Sequence, residues 1–320
     1  MKALYFDGQL GLRDVETPRP GPDEALIQVV LAGICGTDLQ ILNGYSSFRG
    51  IPGHEFVGRV VECQNTKWID KRVVGEINIS CGECEFCLWG LGRHCSQRTV
   101  MGIVNRDGAF AEFTVLPVFN LHEIPDSIPD EAAVFVEPLA AAAEILEQVT
   151  IRPRMRVAVL GDGRLGLLVA QVLHQERAQV MLLGRHPWKL DLAHSWGINV
   201  SGLGDEHLTK RNFPMVVEAT GSPAGLEEAF RLVEPRGTII MKSTFHRPAQ
   251  FDTARLVVDE INLLGSRCGA FGRAIGLLEQ GRVKVDQLVS RTFPLEEGLA
   301  AFDFVKKTSP LKVLLQVAPA

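Results

Sequence analysis

The chain of 320 residues lacks a surplus of positive charge: 33 Lys and Arg stand against 38 Asp and Glu, for a net charge of −5. A nucleic-acid-binding face needs a basic stripe, so that class of partner is not expected. No apolar run reaches membrane-spanning length, so no membrane partner is expected either. The N-terminus, Met1-Lys2-Ala3-Leu4-Tyr5-Phe6, enters a strand pattern directly, and no signal peptide is expected. Internal repeats and low-complexity segments are missing, and helical periodicity is scarce before residue 130. An even-numbered disulfide framework is missing too. The cysteines number seven, and four of them cluster at metal-ligand spacing, which suits a reducing cytoplasm.

What is present allows a large core. Hydrophobic residues make up 46% of the chain and the mean hydropathy is +0.10. The length is comfortable for two domains. Strand-like runs fall at 3–6, 9–14, 25–30, 55–62, 72–76 and 108–117, separated by Gly8 and the proline-rich turn at 18–22. Helices are expected from Pro129-Asp130-Glu131 and over 139–149, ended by Pro153. From Arg156 the chain alternates. Strands at 157–160, 180–183, 215–219 and 237–242 are interleaved with helices at 165–174, 188–196 and 225–233, and 256–264 reads as helix or strand. Strands apolar on both faces in a β-α-β order predict a parallel, doubly wound sheet. The tail at 287–317 returns to short strands with one amphipathic helix at 295–306, and is expected to close onto the first domain.

The most specific pattern is Cys81-x2-Cys84-x2-Cys87-x7-Cys95. Four thiolates joined by tight turns can enclose one tetrahedral Zn²⁺ in a closed, structural site. An iron–sulfur cluster is the competing reading. A second constellation joins Cys35, set in Ala32-Gly33-Ile34-Cys35-Gly36-Thr37-Asp38, with Gly53-His54-Glu55. Cys35, His54 and a carboxylate would give mixed ligation with room for water, which is how catalytic zinc differs from structural zinc. Asp38 is placed to accept the other N–H of His54. Tyr45, Phe48 and Trp89 are candidate pocket walls.

Gly161-Asp162-Gly163-Arg164-Leu165-Gly166 is a G-x-G-x-x-G loop that follows a strand and opens a helix, the context of a dinucleotide-binding fingerprint. Gly161, Gly163, Arg164, Leu165 and Gly166 are the expected cofactor contacts of this loop. An NAD site wants a carboxylate at the end of the second strand to hold the ribose 2′-hydroxyl. That position is read as Gly184, followed by Arg185, His186 and, nearby, Lys189. A glycine removes repulsion and Arg185 can pair with a 2′-phosphate, so NADP is favoured over NAD. Thr220 and Ser243, at the ends of later strands, are further candidate cofactor contacts.

These motifs, with Asp107-Gly108-Ala109-Phe110-Ala111-Glu112 and Glu137-Pro138-Leu139-Ala140, resemble the zinc-dependent medium-chain dehydrogenase/reductase family of alcohol and polyol dehydrogenases over essentially the whole chain. The resemblance implies an α/β protein: a β-rich GroES-like catalytic domain at 1–140 and 285–320 carrying the zinc lobe at 81–95, and a Rossmann domain at 141–284. It implies two Zn²⁺ per chain, one catalytic and one structural, a nicotinamide cofactor, a small alcohol or carbonyl substrate, and a homodimer or homotetramer. Carried across, Cys35 and His54 match the catalytic zinc ligands. Glu137 takes the third ligand position, where simple alcohol dehydrogenases have cysteine, and glutamate there resembles the polyol, sugar and threonine dehydrogenases. Glu55 matches a carboxylate that binds zinc in some members only. Thr37 matches the hydroxyl that passes the substrate proton onward, and Gln40 stands where a relay histidine is frequent. The alternatives are a zinc-independent enone or quinone reductase on the same fold, and a nucleotide-binding sensor with weak or no turnover.

Overall fold

Short Val-, Ile- and Leu-rich runs punctuated by glycine and proline become strands because branched side chains pack well on a pleated surface. In the computed structural model, which describes residues 1–44, 47–208, 211–244 and 250–318, these runs build two separate sheets of consequence. The chain divides into two compact units, Met1–Glu137 with Phe271–Ala320, and Pro138–Ala270. The sequence boundaries lay at 140/141 and 284/285. The difference at the second boundary is the helix Phe271–Glu279, which sequence reading did not anticipate; Phe271 packs its ring 5.5 Å from that of His122.

The first unit is built on a seven-stranded sheet. Its order is Val289–Pro294, Lys312–Gln316, Glu24–Ile34, Glu55–Cys63, Arg72–Gly75 and Leu121–Glu123, with Phe113–Pro117 also paired to Glu24–Ile34. The tail closes back onto this sheet as expected: Lys312–Gln316 runs antiparallel to Glu24–Ile34, with Val313 opposite Ile34. The expected strand at 108–117 is shortened to Phe113–Pro117. Its first residues instead hydrogen-bond to the 51–53 segment, Gly108 N–H to Ile51 O at 2.6 Å and Phe110 N–H to Pro52 O at 3.0 Å.

The second unit carries a six-stranded parallel sheet in the order Asn199–Gly202, Gln179–Gly184, Arg156–Leu160, Phe213–Glu218, Val233–Met241 and Asn262–Gly265. This is the 3-2-1-4-5-6 order of a dinucleotide-binding sheet, whose reversal point lies between Arg156–Leu160 and Phe213–Glu218. The ambiguous 256–264 segment is both things in turn, helix Thr253–Val258 and then strand Asn262–Gly265. Strand Asn199–Gly202 had no expectation attached to it. No described helix is long and apolar enough to cross a membrane.

Candidate active site and cofactor loop

Cys35 follows the long strand Glu24–Ile34 and caps the short helix Gly36–Leu42. Its N–H donates to Asp38 Oδ2 at 2.7 Å, and its thiol lies 3.8 Å from Thr37 Oγ1. His54 follows a turn that only glycine allows at position 53: φ is +100°, and a Cβ there would lie 2.6 Å from the Phe110 ring. The next residue, Glu55, opens the neighbouring strand. One ligand atom each of Cys35, His54 and Glu55 lies within 4.8 Å of the others, with His54 and Glu55 buried. His54 Nδ1 sits 3.2 Å from Asp38 Oδ1, the expected carboxylate–histidine pairing. Burial alone would push the imidazole pKa down, but the charge of Asp38 and then Cys35 carry it well above its ordinary value. A cation site is what such a buried, anion-rich cluster fits, and its donor set of S, N and O suits zinc. Glu137 is outside this close group, half-buried in the first turn of helix Val136–Ala143.

The four-cysteine lobe is also assembled. The Sγ atoms of Cys81, Cys84, Cys87 and Cys95 all lie within 4.8 Å of one another, with Cys84–Cys87 at 3.4 Å and Cys81–Cys95 at 3.5 Å. No disulfide joins them. Backbone N–H groups of Cys81 and Gln97 point at Cys95 Sγ, at 3.5 and 3.3 Å, and hold that thiol below its usual pKa. Four such thiols fit a closed tetrahedral ion. Of the proposed pocket aromatics, Trp89 stands exposed on this lobe beside Phe86, Phe48 is buried with Phe6 and Ile41, and Tyr45 lies outside the described residues.

In the second unit the loop 161–166 joins strand Arg156–Leu160 to helix Arg164–Gln175. Gly161 has φ +109° and a Cβ there would meet Ala219 O at 2.6 Å; a Cβ on Gly166 would strike Gly161 O. Gly163 faces open space ahead of the helix. These are the three glycine roles of a pyrophosphate cradle: tight turn, close backbone approach and close helix–strand packing. The loop therefore fits a dinucleotide. Arg164 and Leu165 are the first two residues of the helix, both half-buried.

Models of two domains match the chain: an alcohol dehydrogenase GroES-like domain over residues 21–126 and a zinc-binding dehydrogenase domain over 165–280. The starvation-sensing protein RspB of Escherichia coli is 31% identical over 98% of this chain and 99% of its own length. D-arabinitol dehydrogenase 1 of Uromyces fabae is 29% identical over 99% and 97%. A solved zinc-binding dehydrogenase of Sinorhizobium meliloti bound to NADP superposes with a TM-score of 0.90 at 30% identity, covering 99% of each chain. The chain belongs to the zinc-dependent medium-chain dehydrogenase family. As a member it is an oxidoreductase that interconverts an alcohol and a carbonyl with a nicotinamide cofactor.

Two residues of this dehydrogenase were missed by sequence reading. Lys312, the first residue of the last strand, is fully buried and pairs with Glu55 Oε2 across a separation of 257 residues. The space above Gly33 is filled by this pair: a Cβ there would lie 2.7 Å from Glu55 Oε2 and 3.1 Å from Lys312 Nζ. No local spacing announces such a contact. Asp162, the second residue of the fingerprint itself, is the other. It is buried, and its Oδ2 accepts the N–H of Arg185 and of His186, both at 2.7 Å, while His186 Nδ1 stands 3.0 Å away. Burial opposes its charge, but the His186 N–H and ring and the Arg185 N–H outweigh burial and keep the carboxyl below its usual pKa. The strand end therefore does have a carboxylate beside it, contrary to the sequence reading, because the loop delivers one.

The remaining cofactor candidates divide. Gly184 is buried at the strand end, and Arg185 and His186 are exposed after it. Lys189 is buried, its Nζ 5.3 Å from the centre of the Trp188 ring, and burial lowers its pKa despite Asp162. Thr220 is turned to local work. Its hydroxyl donates to Glu218 at 2.5 Å and accepts the Ser222 N–H at 3.1 Å. Ser243 accepts the Gly221 N–H at 2.8 Å, tying the ends of two adjacent strands together.

Proposed function

We propose that this dehydrogenase oxidises a polyol, a sugar or another hydroxylated secondary alcohol, and reduces the matching carbonyl, with NADP(H) preferred to NAD(H). The observation that carries the reading is the Cys35–His54–Glu55 cluster, a mixed donor set that suits a catalytic ion with an open position. Two zinc ions per chain are proposed, one in this cluster and one among Cys81, Cys84, Cys87 and Cys95. Cys35 and His54 would hold the catalytic ion, with Glu55 inside the cluster but paired to Lys312 and Glu137, outside the close group, as the alternative carboxylate ligand. When bound, zinc there supplies Lewis acidity to the substrate oxygen.

The chain's own groups do the rest. Asp38 fixes the His54 ring and keeps its other nitrogen available. Thr37 carries the proton between the substrate hydroxyl and solvent. Gln40, half-buried on the same helix, holds a water but takes up no proton at neutral pH, so the relay ends in solvent. The fingerprint Gly161, Gly163 and Gly166, with Arg164 and Leu165 opening the helix, would cradle the pyrophosphate of a dinucleotide, which would supply the hydride chemistry. The exposed Arg185 pairs with a 2′-phosphate, and Gly184 leaves no side chain in its way. The substrate class rests on Glu137 as a ligand and on the polyol dehydrogenase among the relatives. Cytoplasmic localisation and a homodimer or homotetramer are part of the same proposal.

A panel of polyols, sugars, secondary alcohols and aldehydes, run with NADP and NAD in parallel and again after chelation, tests this reading. Turnover of a polyol or secondary alcohol that chelation abolishes is expected. Chelation-resistant turnover of an enone would establish the zinc-independent reductase instead. NADP(H) binding with no turnover across the panel would favour a sensor.

A further inference from the structure

The space that a side chain at the end of the second strand would occupy is taken by the side chain of Asp162. A Cβ built on Gly184 would fall 2.5 Å from Asp162 Oδ2 and 2.6 Å from Asp162 Cβ. Dinucleotide sites that use NAD place a carboxylate at this strand end, about 20 residues after the fingerprint, to accept the ribose 2′-hydroxyl. Here the strand supplies none, and the fingerprint loop supplies one from the other side of the gap. The carboxylate is held in place by three donors: the Arg185 N–H and the His186 N–H at 2.7 Å, and the His186 ring. An ionised carboxylate only accepts, so His186 carries its proton on Nδ1. Those contacts fall mainly on Oδ2. Oδ1 lies 3.1 Å from His186 Nδ1, and a carboxylate oxygen has the lone pairs to accept a second donor.

We propose that Asp162, anchored by His186, is the residue that sets how this enzyme divides itself between NAD(H) and NADP(H): it accepts the ribose 2′-hydroxyl of NAD(H) and repels the 2′-phosphate that Arg185 attracts. The proposal deepens the cofactor assignment above and rests on the loop 161–166 being the dinucleotide site. The Asp162 carboxylate and the Arg185 guanidinium would act in opposite directions on a 2′-phosphate bound at this strand end, with the buried Lys189 offsetting part of the Asp162 charge. Arg185 is exposed and on a flexible stem, so its pull on a phosphate is screened; Asp162 is buried and fixed, so its field is felt at short range. His186 has a second effect. By donating to Asp162 it offsets part of the negative charge, which is what lets a phosphate approach at all.

The test is equilibrium binding of NADPH and NADH to the purified full chain, followed by nicotinamide fluorescence or calorimetry, with no substrate present. Asp162→Asn is expected to tighten NADPH and weaken NADH, changing the ratio of the two dissociation constants roughly tenfold or more in favour of NADPH. A paired variant, Asp162→Gly with Gly184→Asp, returns the carboxylate to the strand end and is expected to keep NADH binding while excluding NADPH; it also covers the case in which Asn at 162 unsettles the loop. Both cofactors weakened by one common factor in Asp162→Asn, or NADPH weakened more than NADH, would overturn the proposal and leave Asp162 a loop clamp. Arg185→Ala separates this from the cofactor assignment: it removes NADPH preference if that assignment is right. A wild-type enzyme that prefers NADH would sink the assignment while leaving the direction of the Asp162→Asn change as a test. No binding of either nucleotide would sink the site itself.

Discussion

The two metal-competent clusters belong to the same unit and each gathers its ligand atoms within 4.8 Å, yet they are assembled by opposite means. Cys81, Cys84, Cys87 and Cys95 come from a single short stretch of chain, brought together by local turns and the short helices Glu85–Leu88 and Gly92–His94. Cys35, His54 and Glu55 come from a strand end, a glycine turn and the start of the next strand, and Lys312 arrives from the last strand to hold Glu55. The first cluster is uniform in chemistry and closed; the second is mixed, buried and balanced against a fixed cation. A closed thiolate site staples a loop, whereas a mixed site with competing carboxylates can change its ligands during a reaction.

Removing a ligand from each cluster should break the comparison most visibly. His54→Ala is expected to lower kcat/KM on the order of ten-thousandfold in steady-state assays, and to lower the melting transition as well, because it leaves the buried Asp38 without its partner, with circular dichroism showing the fold retained. Lys312→Met comes next. It leaves the Glu55 charge buried without its cation and should cost about 3–5 kcal/mol of stability in urea unfolding, part of it recovered by adding Glu55→Gln. Cys95→Ser should lower stability by roughly 2 kcal/mol and reduce bound zinc from two per chain to one by elemental analysis, with activity reduced but present. Gln40→His is the smallest: a gain in kcat of about threefold or less, seen as a new pH dependence near the histidine pKa of about 6.5. A His54→Ala enzyme with near-normal turnover, or a Cys95→Ser enzyme that is wholly inactive yet fully folded, would erase the distinction between the clusters.

The same contrast explains what could be read from residues alone. The lobe was legible because its ligands share one local spacing. The parallel sheet was legible because strands buried on both faces are apolar throughout, and 157–160 and 180–183 widened only to Arg156–Leu160 and Gln179–Gly184. The short helix after Cys35 was not, because seven residues with three polar positions give no helical stripe. The Lys312–Glu55 pair was not, since antiparallel pairing of the last strand with Glu24–Ile34 is a tertiary choice. Asp162 was in plain view inside the fingerprint, but its meaning depends on the direction of its side chain, toward Gly184 rather than solvent.

Anomalous scattering at the zinc edge, from crystals grown with zinc, would locate both ions. Two peaks per chain are expected, one amid the four cysteine sulfurs and one bonded to Cys35 and His54, with Glu137 in bonding reach and Glu55 held by Lys312. A single peak confined to the lobe, or a signal at the iron edge instead, would contradict that expectation.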